Sequence, residues 1–215
     1  VESIIAKAEK QNFATGLVAT YAIQHATPAS FYAHVKNRGD YANITKQFME
    51  SNIDLALGGG YKHFDDVFKA QGKNYVEELT NKGYKVCKTW DEISKQTSGQ
   101  VFGLMHGDNM PGFLADATAK ALEILTNNVK NEKRKGFVLM VEGSQIDGRS
   151  HSKDVSGILA EMRDFDKAIK VAMDYADNHP GTLVVVVADH ETGGLSIPSN
   201  KTDFTLPESG IGYNF

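Results

Sequence analysis

Short apolar, β-branched runs alternate with amphipathic stretches along this chain. The segments 16–21, 54–57, 85–88, 101–105, 137–141 and 182–188 are strand candidates, and the apolar runs 137–141 and 182–188 have the pattern of strands buried on both faces in a parallel sheet. Between them, apolar residues recur at three- and four-residue spacing, which predicts helices over 28–35, 44–50, 76–82, 114–128 and 158–177, with 3–11 as the tail of another. Pro28 falls in a first turn, where a missing N–H leaves nothing unsatisfied. Strand and helix in alternation predict an α/β fold with a largely parallel sheet, organised as one domain over residues 1–215. Gly58-Gly-Gly60 follows a strand but lacks the Lys-Ser/Thr of a phosphate-binding P-loop, and it reads as a turn.

Composition narrows the function without choosing it. A chain of 215 residues can bury a sizeable core. The net charge of −4 speaks against a nucleic-acid groove, and the basic stretch 130–135, interrupted by Glu132, reads as a solvated helix end. Cys87 is the single cysteine, so an intrachain disulfide and a Cys-based zinc site are both excluded. No apolar run approaches the length of a membrane span. Asn43-Ile-Thr and Asn200-Lys-Thr match the glycosylation triplet, a pattern common by chance.

Two of the apolar runs end in chemistry. Phe137-Val-Leu-Met-Val-Glu142 leads into Gly-Ser-Gln-Ile-Asp147 and His151, and the run at 182–188 leads into Asp189 and His190. In open parallel sheets, ligands bind outside the carboxyl ends of the strands. Asp147 and His151, four residues apart, share one face of a helical turn, an arrangement suited to two ligands of one cation. Glu142 follows a buried strand and wants a cation or a set of donors, because an unpaired buried carboxylate is costly. Each group taken alone is explained as well by a polar loop. Together, at equivalent ends of two strands, they favour a divalent metal centre of mixed imidazole and carboxylate ligands. His34, His63, His106 and His179 have no such company and read as surface or core histidines.

These residues resemble the metal-site segments of the alkaline phosphatases. Glu142-Gly-Ser-Gln-Ile-Asp147 with His151, and Ala188-Asp-His190 after a valine-rich strand, are two of the family's motifs. A third, His25-Ala-Thr-Pro-Ala-Ser-Phe-Tyr-Ala-His34 with Arg38 downstream and Ala14-Thr-Gly-Leu-Val just before, is similar to the segment that follows the family's nucleophile. The resemblance runs in family order from Ile4 to Gly194. It implies a three-layer sandwich around a largely parallel central sheet, incomplete at both ends. It also implies two zinc ions and one magnesium ion. Asp147 and His151 would bind the first zinc and Asp189 and His190 the second. Thr27 and Glu142 would bind magnesium, with His25 beside that site at a position where relatives carry Asp or His. Arg38 would grip the substrate phosphate, since a planar guanidinium donates two parallel hydrogen bonds to phosphate oxygens.

The same resemblance implies hydrolysis of small phosphomonoesters through a phosphoserine intermediate, with release of inorganic phosphate. Two metals about 4 Å apart suit that in-line displacement. A periplasmic or secreted location and a homodimeric parent go with it. The sequence departs from the family in three parts: the early bridging Asp, the nucleophilic Ser and a late zinc-binding His are not found. The chain therefore reads as an internal fragment, inactive or very weakly active alone and, with strand edges uncovered, self-associating. Gly148-Arg149 stands where the family often has His, Trp or Lys after the zinc-binding Asp, and Arg149 is a candidate replacement for the lost charge. Two other readings remain. One is a non-catalytic remnant of the same fold that binds metal or phosphate. The other is a related metal-dependent sulfatase or phosphodiesterase, less suited to Arg38, which fits the fully charged phosphate of a monoester.

Overall fold

The computed structural model describes residues 1–104 and 112–195. Five strands, β1 (Ala14–Ala22), β2 (Leu55–Gly59), β3 (Lys85–Cys87), β4 (Val101–Leu104) and β5 (Phe137–Glu142), form one sheet in the order β3-β4-β2-β1-β5. Every pairing in it is parallel. The helices are α1 (Ile4–Lys10), α2 (Ala26–Ser30), α3 (Tyr41–Glu50), α4 (Tyr61–Lys69), α5 (Tyr75–Asn81), α6 (Trp90–Ser94), α7 (Leu114–Asn131), α8 (Gln145–His151) and α9 (Val155–Asn178). This is the α/β architecture that the alternating pattern predicts.

The central strands β1, β2 and β4 are buried along almost their whole length because both faces of the sheet are covered there. Leu17, Ala56 and Phe102 point to one side, where they meet Ile5 of α1, Ile44 and Phe48 of α3, Phe64 and Phe68 of α4 and Leu79 of α5. Val18, Leu55, Leu57 and Val101 point to the other, where they meet Leu114, Ala117, Ala121, Ile124 and Leu125 of α7 and Ala168 of α9. The alternation of side chains along each strand thus feeds two cores, and the molecule has three layers. Among the described residues no helix is long and apolar enough to cross a membrane.

Several expectations are corrected. Residues 182–188 form no strand and pair with nothing in the sheet. The run has strand-like composition, yet burial depends on a neighbouring strand and a covering layer. Here Leu183, Val185, Val186 and Val187 are exposed instead. The helix expected over 28–35 starts two residues earlier and stops at Ser30. Gly58 and Gly59 belong to β2 rather than to a turn. A Cβ on Gly58 would lie 2.9 Å from Ile23 Cγ2 and 3.1 Å from the carbonyls of Ala19 and Tyr21, so the glycine permits close approach of β1. Gly60 does turn, at φ +94°, and opens α4. α1 begins at its own cap, with the Ser3 hydroxyl accepting from Ala6 N at 3.2 Å. The stretch 130–135 is not simply solvated, because Arg134 turns inward to Asp54. The end of the strand expected at 101–105, His106 and the triplet at Asn200 lie outside the described residues.

The topology singles out one crevice. From β1 the chain moves to β2 on one side, and only after β4 and α7 does it return to β5 on the other side. The carboxyl ends of β1 and β5 therefore flank the point where the winding reverses, the usual ligand position in open α/β sheets.

Candidate metal centre

Register brings the first residues together. Ala19 of β1 stands opposite Glu142, the last residue of β5. Beyond it, β1 runs into His25, which precedes α2, and then Thr27 in that helix's first turn. Beyond Glu142, Gly143 and Ser144 lead into α8, which carries Asp147 and His151 one turn apart. Both segments thus leave the sheet at the same edge.

Glu142 is half-buried and collects hydroxyls. Ser144 Oγ donates to Oε2 at 2.7 Å, and the Thr27 hydroxyl donates to the same carboxylate. Burial nonetheless raises its pKa above the ordinary value, with the nearby charges of Asp189 and Asp147 adding to the rise. A carboxylate pressed by two others in a half-buried crevice is in want of a cation.

His25 is held edge-on against Tyr21, with ring centroids 5.2 Å apart. Its pKa is lowered, first by burial and then by Arg38, whose Nη2 lies 3.2 Å from His25 Nε2. The negative charge of Asp147 reaches it and partly opposes this. His25 Nδ1 is buried with no hydrogen-bond partner.

The two Asp–His pairs have a common geometry. His151 Nε2 stands 3.5 Å from Asp147 Oδ1, and His190 Nε2 stands 3.3 Å from Asp189 Oδ2. Two ligands each about 2.0–2.2 Å from a tetrahedral zinc are about 3.3–3.6 Å apart, so both pairs have the spacing of ligands to one ion. The pKa of His190 is raised, first by its hydrogen bond to the Glu191 carbonyl and then by Asp189. Among the described residues, no group of three or more His, Cys, Asp or Glu is placed to hold a metal ion. Each pair alone therefore offers half of a tetrahedral shell.

Contacts join the expected residues into one chain: Arg38 to His25, His25 by its field to Asp147, Thr27 to Glu142, and Asp147 to His151. Asp189 and His190 are joined through Thr192, which the sequence reading does not include. Its Oγ1 donates to Asp147 Oδ1 at 2.6 Å and lies 3.0 Å from His190 Nδ1. A threonine in a polar loop carries no signal of a partner 45 positions away. Arg149 is placed elsewhere. Two residues beyond Asp147, it sits on a different face of α8, 3.5 Å from Asp154 and within the field of Glu161 on α9.

The fold and these residues define an α/β protein with a candidate divalent-metal centre at the switch point of a parallel sheet. The sequence model of the alkaline phosphatase family matches residues 1–209. Alkaline phosphatase 4 of Bacillus subtilis is 36% identical over 215 aligned residues, which cover 93% of this chain and 45% of the relative. Streptomycin-6-phosphate phosphatase of Streptomyces griseus is 29% identical over 87% of this chain and 54% of its own length. The solved alkaline phosphatase of the Antarctic bacterium TAB5 superposes with a TM-score of 0.83 at 36% identity, over 100% of this chain and 64% of that one. A mutant of that enzyme is described with Mg bound in its M3 site. The chain belongs to the alkaline phosphatase family and spans about half the length of the curated relatives it matches.

Proposed function

We propose that this chain carries part of the active site of a zinc- and magnesium-dependent phosphomonoesterase. The observation that supports this most is the linked set of Arg38, His25, Thr27, Glu142, Asp147, His151, Asp189 and His190 in a chain of this family. In this reading Asp147 and His151 hold one zinc and Asp189 and His190 the other. Thr27 and Glu142 hold magnesium, with His25 alongside. The ligand spacings, the Glu142 carboxylate whose pKa burial and then Asp189 and Asp147 raise, and the partnerless imidazole nitrogen all fit that assignment.

The bound metals supply Lewis-acid stabilisation of the attacking and leaving oxygens of an in-line phosphoryl displacement. The chain's own residues do the rest. Arg38, exposed at the edge of the set, grips two phosphate oxygens and orients the ester. The Ser144 and Thr27 hydroxyls hold Glu142 in place. The nucleophilic serine of the family has no counterpart in these 215 residues, so turnover by this chain alone is absent or very weak. A periplasmic or secreted homodimer is the matching form of the whole protein.

The test is made in the full-length protein with p-nitrophenyl phosphate. Asp189→Asn and Glu142→Gln should each lower the rate by about 100-fold or more, since even the supporting partners of metal ligands carry effects of about 10–100-fold. Unchanged rates in both variants would overturn the assignment. A second reading, metal binding without catalysis, draws on the two-ligand character of each pair. Saturable zinc uptake by a full-length protein that hydrolyses no phosphomonoester would favour it.

A further inference from the structure

One hydroxyl stands between the two Asp–His pairs. Thr192 Oγ1 lies 2.6 Å from Asp147 Oδ1 and 3.0 Å from His190 Nδ1, and His190 Nδ1 lies 2.8 Å from the Glu191 carbonyl oxygen. The direction of each bond follows from what the groups can do. A carboxylate only accepts, so the single hydroxyl proton of Thr192 goes to Asp147. What Thr192 then turns toward His190 is a lone pair, and the Glu191 carbonyl offers another. Both ask Nδ1 to carry a proton. His190 is thereby set as the Nδ1–H tautomer, with the lone pair on Nε2, the nitrogen 3.3 Å from Asp189 Oδ2.

The position of the hydroxyl adds to its importance. Residues 182–188 have no sheet partner, so Asp189 and His190 cannot take their orientation from a strand ladder. Thr192 is half-buried and ties their segment to α8 across 45 positions of sequence. Gly194 N donates to Glu191 Oε2 at 2.9 Å and closes the turn around it.

We propose that Thr192 is a positioning residue for both metal-ligand pairs, holding Oδ1 of Asp147, the oxygen that faces His151, and the tautomer of His190 with one hydroxyl. This rests on the metal-centre reading given above.

The experiment is a titration of the full-length protein with Co2+, followed by visible absorption, and with Zn2+ by calorimetry. Wild type is compared with Thr192→Val, which keeps shape and loses the hydroxyl, and Thr192→Ser, which keeps the hydroxyl. Val should weaken metal binding by about 10–100-fold, the range for supporting partners of metal ligands, and Ser should restore it. In the metal-free protein, 15N NMR of His190 should show protonation at Nδ1 in wild type and Ser, and a mixture of tautomers in Val. Circular dichroism and thermal unfolding should be alike in all three, since the residue lies outside both cores. Metal binding and tautomer unchanged in Val would overturn the role of Thr192 while leaving the metal centre standing. No saturable uptake by wild type would overturn the metal centre and this role together.

Discussion

Arg134 lies across the carboxylate of Asp54, with Nη1 donating to Oδ2 at 3.1 Å and Nη2 standing 2.9 Å from Oδ1. Asp54 is fully buried just before β2, and its Oδ2 also accepts from Thr15 N at 2.8 Å. Its backbone joins the neighbours as well, donating to Thr15 O at 2.9 Å and accepting from Val101 N at 2.8 Å. One residue thus ties β1, β2 and β4 at the amino ends of the strands, opposite the candidate metal centre. Arg134→Ala leaves a buried carboxylate without its cation and should lower unfolding free energy by about 3 kcal/mol in urea titrations. Metal uptake by the folded variant should match wild type. A loss below about 0.5 kcal/mol, the range of ordinary surface changes, would show that the pair contributes little.

The aromatic centre of the first core sets a second expectation. Phe48 is fully buried and meets Tyr32, Phe64 and Phe102 edge to face, with centroids 5.6, 5.5 and 5.5 Å away. Phe48→Ala removes the ring at which α2–α3, α4 and β4 converge and should cost about 3–5 kcal/mol. Phe48→Leu should recover most of that, because it refills most of the volume. Chemical denaturation of both variants measures the difference.

How far the sequence reveals this structure depends on what each feature needs. Strands 14–22 and 55–59 are legible because both faces are buried, and 137–142, half-buried apart from Met140, because its run stays apolar up to Glu142. The four-residue spacing of Asp147 and His151 was legible because α8 makes it a shared face. Residues 182–188 carry the same signature as β5 but lack a partner strand, and composition cannot report the presence of a neighbour. α6 spans only Trp90–Ser94, too short for periodicity, although Thr89 and Glu92 mark its cap. Thr192 was invisible because its role comes from a contact between distant segments. Arg134 was misread for the same reason, its inward turn being set by Asp54 rather than by its basic neighbours.

Glu161 sets a pH dependence of stability. It is 4% exposed on α9, and burial raises its pKa above the ordinary 4.5, with Arg149 opposing and Asp164 adding to the rise. Asp116, Arg163 and Lys167 line the same cavity. The folded protein holds this proton more tightly than the unfolded chain does. Its contribution is therefore fully present below the unfolded pKa and is lost as pH climbs through the raised folded value. Glu161→Gln removes that slope, so the variant should gain on wild type from mildly acidic to neutral pH. Urea titrations across that range check the sign, and a variant that loses ground toward neutral pH would reverse the argument.

The exposed run at 182–188 makes the last expectation. In an extended segment Leu183, Val185 and Val187 share one side, and they are 84%, 69% and 75% exposed. β5 is paired only with β1, and its other edge carries no strand among the described residues. An apolar run with strand propensity beside an open parallel edge invites pairing between copies. Light scattering should show a mass above that of a monomer, rising with concentration. Val185→Asp with Val187→Asp places charge on the associating side and should return the mass to that of one chain, with circular dichroism unchanged because neither residue enters a core. A wild-type chain that stays monomeric at high concentration would mean that the run folds back on its own sheet or remains solvated.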